Sequence, residues 1–435
     1  MFFKRKEESP WTTNLKAFKK EYTNPVFQQN RILAQDVYLN MQREKTYRNS
    51  NVMLLATPIQ ANQFILSNIL QLNSNWIIPD YCGQLLSQTK EFLQKNGYQI
   101  DIIDCKYEHT SVKYNLLQQF LSPTDIDWIA LAHRIINPAP DDYLARDTEH
   151  ILAAIMIHIS ELQEQQTSKT LKQYLLNALS HPETIEAVFA DLDPHDVRHK
   201  LYVLWKCCCG KYQSASIEIA LNHLQDYDDA INASYLPKIS AKHAIFITYN
   251  DEDVMQRFWQ CFAMQLIYNL HHISQQQENK KLPIPYTIIS PWYIQNLEEY
   301  LCTGSKKNIQ FILPYISITS IKQQTSKEWE ILIGNCDSFI CAHCEGYATA
   351  EYVSYALGHV VVVHTKRYKI PKNTSICYQA PTKMLMEPDE IIEKPHDEHI
   401  VMVRAVKPIK AKPFDIKKHP NYNKLSSPIL EDFKI

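Results

Sequence analysis

Three cysteines and a histidine in the second half of the chain have a spacing that could bind zinc. Cys341, His343 and Cys344 lie together, and Cys336 precedes them closely. A structural zinc site needs four converging ligands, and no second Cys-x-x-Cys pair follows to complete one. These residues also alternate along a predicted strand, which would direct some of them into the core. We therefore predict buried thiols here and no metal site.

Two histidines, His195 and His199, are spaced one helical turn apart, with Asp191 and Asp193 just before them. Two histidines at this spacing could bind a metal ion, but the glutamate of a metalloprotease helix is absent. Because Pro194 suits the first turn of a helix, the pattern predicts a solvated helix start instead.

The pair Gly210-Lys211 suggests a phosphate-binding loop, but the residues on both sides of the pair do not match the motif of such a loop. Trp205 stands where the first glycine of that loop should be, and Tyr212 stands at the position of the Ser or Thr. No Ser-His-Asp or Cys-His nucleophile arrangement is evident in the chain.

A basic stretch with interleaved aromatic residues lies between residues 404 and 424, where Asp415 is the single acid. Its seven cations are Arg404, Lys407, Lys410, Lys412, Lys417, Lys418 and Lys424. Such a stretch could contact nucleic-acid phosphates or an acidic partner. A solvated segment on the outside of the domain explains it equally well, so both interpretations stay open.

The overall composition is that of an ordinary globular protein, with 45% hydrophobic and 21% charged residues among 435. Lys and Arg total 45 against 47 Asp and Glu, so the formal charge of −2 predicts no whole-molecule attraction to polyanions. The 11 cysteines include the run Cys207 to Cys209 and show no disulfide spacing. We expect reduced, mostly buried thiols, as in a cytosolic protein.

The start of the chain does not resemble a signal peptide, because Glu7 and Glu8 stand where an apolar region should be. The longest strongly apolar stretch, Ile151 to Ile159, is about half of the ~20 residues that a membrane span needs. We therefore expect a cytoplasmic protein that reaches the inner face of the plasma membrane, if at all, through partners.

Apolar, strand-like runs alternate with helical patterns in two parts of the chain, and strand signals are nearly absent between Leu117 and Tyr235. The predicted strands are Val52–Leu55, Trp76–Ile78, Ile100–Ile103, Ala244–Thr248, Tyr286–Ile289, Ile309–Leu313, Phe339–Cys341, Val360–Val363 and Ile400–Val406. This order predicts an α/β fold with a mostly parallel sheet and an inserted all-α domain. The predicted divisions are an N-terminal surface segment (1–50), a first α/β part (51–116), the all-α domain (117–240), a second α/β part (241–406) and a basic C-terminal tail (407–435).

Several blocks, in order along the chain, resemble the coupling-protein family of conjugation, the TraG/TraD type. They are Asn73–Leu86, followed by Gly97–Ile100 and Tyr114-Asn115, and then Ile333–Phe339, Thr349–Ser354 with Leu357-Gly358 behind it, Met384–Ile391 and Lys417–Tyr422. The resemblance implies a RecA-like, P-loop-type motor domain with an all-α insertion. It also implies a role in passing DNA or protein from a relaxosome into a type IV secretion channel, in members that assemble as rings.

The phosphate loop of that family should follow Val52–Leu55, but its residues are missing. The segment there runs Ala56, Thr57, Pro58, Ile59, Gln60, Ala61, Asn62 and Gln63. A phosphate cradle needs glycines, a lysine and a hydroxyl for Mg²⁺. No glycine precedes Gly83, no lysine lies between Lys45 and Lys90, and Asn62 and Gln63 replace the Lys and Ser/Thr.

The acidic site of the family is missing as well. Where the family ends a strand with Asp-Glu, Tyr286–Ile289 runs through Ser290 into Pro291 and Trp292. Pro314 or Tyr315 replaces the glutamine after the next strand, and the family's Asp-Pro-Lys-Gly-Glu turn keeps only Asp80 and Gly83. We therefore predict that Mg·ATP is not held and that no cofactor is bound.

These features together favour a pseudo-ATPase that acts as an adaptor or structural subunit of a conjugative or secretion complex. Its expected partners are relaxosome or channel proteins, an active coupling-protein paralogue, or DNA, in a homo- or hetero-oligomeric ring if one forms. The alternatives are a divergent, active DNA-translocating ATPase and a DNA-binding accessory subunit that uses the basic stretch. A remnant without function is also left open.

Overall fold

The computed structural model describes residues 10–12, 14–104, 117, 123–138, 141–162, 167–224, 238–294, 296–325, 329–361 and 382–425. The strands are β1 (Asn30–Ala34), β2 (Val37–Asn40), β3 (Val52–Leu55), β4 (Asn75–Tyr81), β5 (Gln99–Asp104), β6 (His243–Tyr249), β7 (Tyr286–Ile289), β8 (Ile309–Tyr315), β9 (Ser338–Cys341), β10 (His359–Val361), β11 (Thr382–Met384), β12 (His399–Val403) and β13 (Ile409–Ala411).

The α-helices alternate with the strands except in one long helical stretch. They are α1 (Leu15–Tyr22), α2 (Arg43–Thr46), α3 (Pro58–Ile69), α4 (Gln84–Lys95), α5 (Asp125–Ile136), α6 (Tyr143–Glu161), α7 (Ser168–Ser180), α8 (Glu183–Phe189), α9 (Val197–Cys209), α10 (Gln213–Leu224), α11 (Glu252–Gln276), α12 (Leu297–Gly304), α13 (Ile318–Thr325), α14 (Trp329–Gly334), α15 (Tyr347–Leu357) and α16 (Pro388–Ile392).

The centre of the molecule is a nine-stranded sheet in the order β13-β12-β9-β3-β8-β7-β4-β6-β5. The strands from β9 to β5 in this order are all parallel, and β12 and β13 add an antiparallel edge. The predicted α/β fold with a mostly parallel sheet is therefore confirmed. All seven parallel strands lie where the sequence predicts strands.

Successive residues of each central strand enter two different cores, one on each face of the sheet. In β3, Met53 and Leu55 belong to the core on one face, and Val52 and Leu54 to the core on the other. All of them are buried, because helices cover both faces of the sheet. The helix pair α3 and α4 covers the second face, and the core of the first face continues into the helical stretch.

Helices α5 to α10 lie between β5 and β6 in the chain and form the predicted all-α insertion. The described residues from 123 to 224 contain no strand. Helix α6 is the centre of this domain, since it packs against α5, α7, α9 and α10 and buries Ile151 to Ile157 continuously. A helix that is buried on nearly all sides needs apolar residues all round, which is why the sequence shows a continuous apolar stretch there.

The prediction of a surface segment over residues 1–50 is wrong for the described residues from 30 to 40. Strands β1 and β2 form an antiparallel hairpin whose residues are almost all buried, including Asn30 and Arg31. The polar residues of this hairpin make internal hydrogen bonds; for example, Asn30 donates to the carbonyls of Asn24 and Val26. A polar composition therefore concealed a buried element, because its polar groups are satisfied inside the protein.

Arg31 ties this hairpin to the central strands. Its guanidinium donates to the Thr287 hydroxyl of β7 and to Gln310 Oε1 of β8, both at 2.9 Å, and lies 5.7 Å from the ring of Trp76 in β4. Arg31 is 1% exposed, and burial lowers its pKa to about 9. The side chain is thus a buried cation whose hydrogen-bond partners in the described residues are neutral.

Two predicted strands near the carboxyl end have a different setting from the central ones. The predicted strand Val360–Val363 is β10, which pairs with β11 in a separate ribbon, and residues 362 and 363 lie outside the described residues. The predicted strand Ile400–Val406 is β12 at the antiparallel edge of the sheet. Tyr114 and Asn115, which follow the family spacing, also lie outside the described residues.

In the described part of the chain, none of the helices combines the length and the apolar character that crossing a membrane requires.

We expect the packing volume of Arg31, rather than its charge, to stabilise the hairpin. Arg31→Ala should lower the free energy of unfolding by about 3 kcal/mol, because it leaves a cavity between the hairpin and the sheet. Arg31→Met keeps most of the volume and removes the buried charge, so its stability should stay within about 1 kcal/mol of the unsubstituted protein. Urea unfolding of the two variants tests this; equal losses in both would show that the hydrogen bonds of the guanidinium matter more.

Candidate functional site

The carboxyl ends of the parallel strands form one edge of the sheet, and ligands of open α/β sheets bind in the crevice at that edge. The residues that follow β3, β4, β7 and β8 meet there. The eight residues that the sequence places in the degenerate nucleotide site lie at or after these strand ends: Asp80 within β4, Ala56, Thr57, Ala61, Asn62 and Gln63 after β3, and Pro291 and Trp292 after β7.

The connection after β3 is too short to be a phosphate loop. Only Ala56 and Thr57 separate the last residue of β3 from Pro58, the first residue of α3. Ala56 is buried, and its N–H donates to the carbonyl of Tyr315 in β8 at 3.0 Å. A phosphate loop instead holds several successive N–H groups free to converge on the anion.

The first backbone donors of helix α3 are occupied by side chains of the same helix. Thr57 Oγ1 accepts from the N–H of Gln60, and Gln60 Oε1 accepts from the N–H of Thr57, which together form a capping box. Pro58 has no N–H to offer. Two N–H groups at this helix terminus, where an anion would otherwise bind, are therefore bonded to side chains of the same turn. The pattern Thr-x-x-Gln before an apolar helix is the sequence signal that could have predicted this cap.

The residues that replace the lysine and hydroxyl lie within helix α3 and carry no charge. Asn62 donates from Nδ2 to Gln84 Oε1 of helix α4 at 3.1 Å, Gln63 is exposed, and Ala61 is buried. The Asn62–Gln84 contact joins the two helices that cover this face of the sheet. Neither side chain can neutralise a phosphate.

Asp80, at the end of β4, caps the start of helix α4. Its Oδ1 accepts from the N–H of Leu85 at 2.9 Å, and its Oδ2 accepts from the N–H of Leu86 at 2.8 Å. Cys82 and Gly83 turn the chain with positive φ angles of 51° and 65°, which brings these N–H groups back to the carboxylate. Gly83 suits this conformation because it has no Cβ. The two residues that the turn shares with the family thus shape a helix start.

The carboxyl group of Asp80 has an unusual environment. Asp80 is 2% exposed, and burial raises its pKa to about 6, although the hydrogen bonds from Leu85, Leu86 and Gln84 act in the opposite direction. Its charge can be removed near neutral pH more easily than that of an ordinary aspartate.

Aromatic side chains occupy the place after β7 where an acidic pair would stand. Trp292 is 4% exposed and packs edge-to-face on Tyr249 at 5.6 Å and against Trp259 at 6.4 Å. Tyr81, at the end of β4, extends this cluster through an edge-to-face contact with Tyr249 at 5.5 Å. A packed aromatic cluster cannot coordinate Mg²⁺, which prefers carboxylate, phosphate and water oxygens.

Ser290 fixes the position of this aromatic cluster. Its hydroxyl donates to the carbonyl of Trp292 at 2.8 Å and accepts from Trp259 Nε1 at 3.1 Å. Pro291, between them, is half-buried. Tyr315, at the end of β8, is also buried. Sequence analysis identified the missing acids but not the cluster that takes their place, because its members come from three strand ends and helix α11.

The Cys-x-His-Cys stretch consists of buried thiols, as predicted. Cys336, Cys341 and Cys344 are all buried, and burial raises the pKa of Cys341 to about 12. Within the described ranges, no group of three or more His, Cys, Asp or Glu side chains is arranged to hold a metal ion. The prediction of mostly buried cysteines is wrong for Cys82 and Cys302 and for Cys207 and Cys208 of helix α9, all of which are exposed.

The histidine pair lies at a helix start, as predicted in preference to a metal site. Asp196 caps helix α9 by accepting from the N–H of Arg198, and His199 Nδ1 lies 2.9 Å from the carbonyl of Phe189. His195 is exposed in the preceding turn. The structure does not bring the two histidines to a common ligand set with Asp191 and Asp193.

Most of the basic stretch packs along the domain and is partly neutralised there. Three of its cations lie about 3 Å from a carboxylate: Arg404 pairs with Asp337, Lys410 with Glu398 and Lys412 with Asp397, at 2.8, 3.1 and 3.2 Å. Lys418 lies 3.9 Å from Asp415, and Lys424 donates to Asn421. Lys407 and Lys417 are exposed. Residues 409–411 form β13, and His419 is buried against Gln71.

The block Ile333–Phe339, one of those that resemble the family, stabilises the opposite edge of the sheet. Asp337 Oδ2 accepts from the N–H of Asn49 at 2.6 Å, and Asn49 Oδ1 accepts from the N–H of Asp337 at 3.1 Å. The carbonyl of Asn335 accepts from both Asn49 and Asn51. Asn51 Oδ1 in turn accepts from the N–H of Phe311 in β8. These bonds join the amino ends of β3, β8 and β9.

Residues 291–417 match the family model described as type IV secretory system conjugative DNA transfer. No curated protein is similar enough in sequence to match the chain. The bacterial conjugative coupling protein TrwB, in its unbound form, is similar in structure with a TM-score of 0.67 and 14% identity, over 96% of this chain and 94% of that one.

TrwB in complex with ADP and Mg²⁺ is similar with a TM-score of 0.62 and 13% identity, over 90% of each chain. VirB4 of Thermoanaerobacter pseudethanolicus is similar with a TM-score of 0.50 and 12% identity, over 88% of this chain and 94% of that one. At these identities the structures establish a common fold. They support the predicted α/β fold with a mostly parallel sheet and an all-α insertion, and the family model supports the family resemblance over residues 291–417.

The raised pKa of Asp80 predicts a pH dependence of stability. Because the folded protein binds the proton more tightly than the unfolded chain, the contribution of Asp80 is largest below its ordinary pKa of 3.8 and is lost as the pH rises through about 6. The free energy of unfolding, relative to that of Asp80→Asn, should therefore fall by about 2 kcal/mol from about pH 4 to about pH 7.

Asp36→Asn is a control with the opposite sign. The hydrogen bond from Lys19 lowers the pKa of Asp36, so the contribution of this half-exposed residue is lost as the pH falls. Urea unfolding across the pH range measures both variants. A difference between Asp80→Asn and the unsubstituted protein that stays constant with pH would contradict the assignment.

Proposed function

We propose that this chain, whose residues 291–417 belong to the type IV secretory system conjugative DNA transfer family, is a pseudo-ATPase that acts as an adaptor in a conjugative DNA-transfer complex. It is a coupling-protein-like component of such a system. In that system it holds other components without binding or hydrolysing nucleotide.

The observation that carries this proposal is the short, self-capped connection from β3 to α3. Nucleotide phosphates need free N–H groups and a cation at that place. Here the N–H groups of Thr57 and Gln60 are bonded to side chains of the same turn, and Pro58 has none. Binding a phosphate would first require breaking the capping box, and no lysine would then be available from this segment.

The other two parts of a nucleotide site support the same conclusion independently. The end of β7 carries the aromatic cluster instead of a Mg²⁺-orienting acid. Asp80, the acid at the end of β4, uses both of its oxygens to cap helix α4. Phosphoryl transfer depends on positioning and on charge neutralisation, and each of the three places lacks one of these.

The features that the chain shares with the family support the framework of the fold. Asp337 and Asn335 join strand ends, and Asp80 and Gly83 shape a helix start. A protein that keeps the shape of a coupling protein without its nucleotide chemistry can still present the same surfaces. We therefore propose that it contacts relaxosome or secretion-channel proteins, or an active coupling-protein paralogue, and reaches the membrane through them.

The basic stretch supports a role in binding DNA less well than the rest of the structure supports an adaptor role. Arg404, Lys410 and Lys412 are held by carboxylates of the same chain, which reduces the charge available for phosphates. If DNA is bound there, its affinity should fall steeply with salt and weaken in the double variant Lys417→Ala/Lys418→Ala. Affinity unaffected by that double variant would leave the basic stretch without a role in DNA binding.

We expect Mg·ATP to leave the thermal stability of the purified chain unchanged. A ligand present at about 100 times its Kd stabilises the native state by ~2.7 kcal/mol, which a thermal-shift measurement detects easily. TrwB is the matched positive control, since it has been seen in complex with ADP and Mg²⁺. A clear shift of this chain would contradict the pseudo-ATPase proposal.

DNA-stimulated ATP hydrolysis distinguishes the proposal from a divergent active ATPase. Hydrolysis that is lost in Asp80→Asn would overturn the proposal and assign Asp80 to the chemistry. The expected result is no hydrolysis above the background of a control preparation, with or without DNA.

A further inference from the structure

Helix α9 of the all-α domain has apolar residues on two opposite faces. One face is buried in the domain and consists of Leu201, Tyr202, Trp205 and Cys209. The other face is exposed and consists of Val203, Leu204, Cys207, Cys208 and, in the following turn, Tyr212. We call this second set the α9 stripe.

The members of the α9 stripe lie together because of the helical period. Residues three or four apart in a helix are neighbours on its surface, which joins Val203 to Cys207 and Leu204 to both Cys207 and Cys208. Leu204 is 47% exposed and Tyr212 is 56% exposed. Single exposed apolar residues are ordinary, but a contiguous stripe along an otherwise packed helix indicates an interaction surface.

The two ends of the stripe are basic, whereas one acid, Asp147 of helix α6, lies near its middle: burial and then the charge of Asp147 raise the pKa of Cys208. From Val197 to Ile217 the chain contains no acidic residue. Lys206 is paired with Glu186. Lys200 and Lys211 are exposed, and neither has a carboxylate within ion-pair distance among the described residues, although Lys211 lies over the ring of Tyr212 at 5.2 Å. Two lysines thus border the two ends of the stripe, and no carboxylate of the described residues pairs with either of them.

We infer that the α9 stripe is a docking surface for an amphipathic helix of a partner protein, with acidic residues beside its apolar face. The stripe would bury against the apolar face of that helix, and Lys200 and Lys211 would pair with its acids. The side chains of Val203, Cys207 and Cys208 are small, so the backbone of a partner helix can approach closely. This inference goes beyond the proposed function, since it does not depend on whether nucleotide binds.

The chemistry of the stripe favours a protein helix over lipid. Helices that lie in a membrane interface carry large apolar residues such as Trp, Phe and Leu, which penetrate the acyl region. Apart from Leu204 and Tyr212, the α9 stripe consists of a valine and two cysteines. The stripe therefore offers a shallow surface suited to a ridge of another helix.

The probe for this surface is a fluorescein-labelled synthetic helix of about 20 residues with leucines at i, i+3, i+4 and i+7 and glutamates on the flanks. Binding to the full chain is followed by fluorescence anisotropy. Leu204→Glu should weaken binding at least tenfold, because it places a charge in the centre of the stripe. Lys200→Glu/Lys211→Glu should weaken it several-fold and reduce its dependence on salt.

Ile331→Glu is the matched control, since Ile331 is an exposed apolar residue on helix α14, in the α/β part of the chain, with 50% exposure. This variant should bind the probe like the unsubstituted protein. The probe should also protect Cys207 and Cys208 from a maleimide reagent, which reports coverage of the stripe itself.

Equal binding to the unsubstituted protein and to Leu204→Glu would overturn the inference, as would equal binding of a helix with lysines on its flanks. Binding of phosphatidylglycerol vesicles that depends on Leu204, without binding of the glutamate helix, would also overturn it and assign the stripe to a lipid surface.

Discussion

Burial of the parallel sheet on both faces is the constraint on which the rest of this structure depends. With helices on either side, the backbone groups of the central strands can pair only with one another, and every residue from Val52 to Leu55 must be apolar. Most of the chemical variety then lies in the connections at the strand ends, and polar residues inside the strands, such as Thr287 and Gln310, are hydrogen-bonded to the buried Arg31. Changes in those connections can remove a function while the sheet, and with it the family fold, remains.

The connections at the carboxyl edge share one physical solution. A helix start presents N–H groups that need an acceptor, and a nucleotide can supply one in its phosphate. Here Thr57 with Gln60 supplies the acceptor for helix α3, and Asp80 supplies it for helix α4. In both connections the acceptors of these hydrogen bonds are side chains of the chain itself.

The sequence was sufficient to predict the elements whose residues follow a regular apolar pattern. The seven parallel strands and the all-α insertion follow such patterns, and the missing lysine and glycines could be seen directly. The hairpin around Arg31 was missed because its polar residues are buried through specific partners distant in sequence, such as Gln310. The aromatic cluster and the exposed Cys207 were missed for the same reason, since contacts between separate elements decide which residues are buried.

The position of β3 in the middle of the sheet determines when the sheet can be completed. The bond from the N–H of Phe311 to Asn51 spans 260 residues, and the partners of β3 on both sides, β8 and β9, come from the second half of the chain. At the usual rate of about 5–20 residues per second, β3 waits on the order of ten seconds or more on the ribosome before either neighbour exists. During that time an apolar strand has two unpaired edges, so the newly made chain depends on protection from aggregation until its second half has been synthesised.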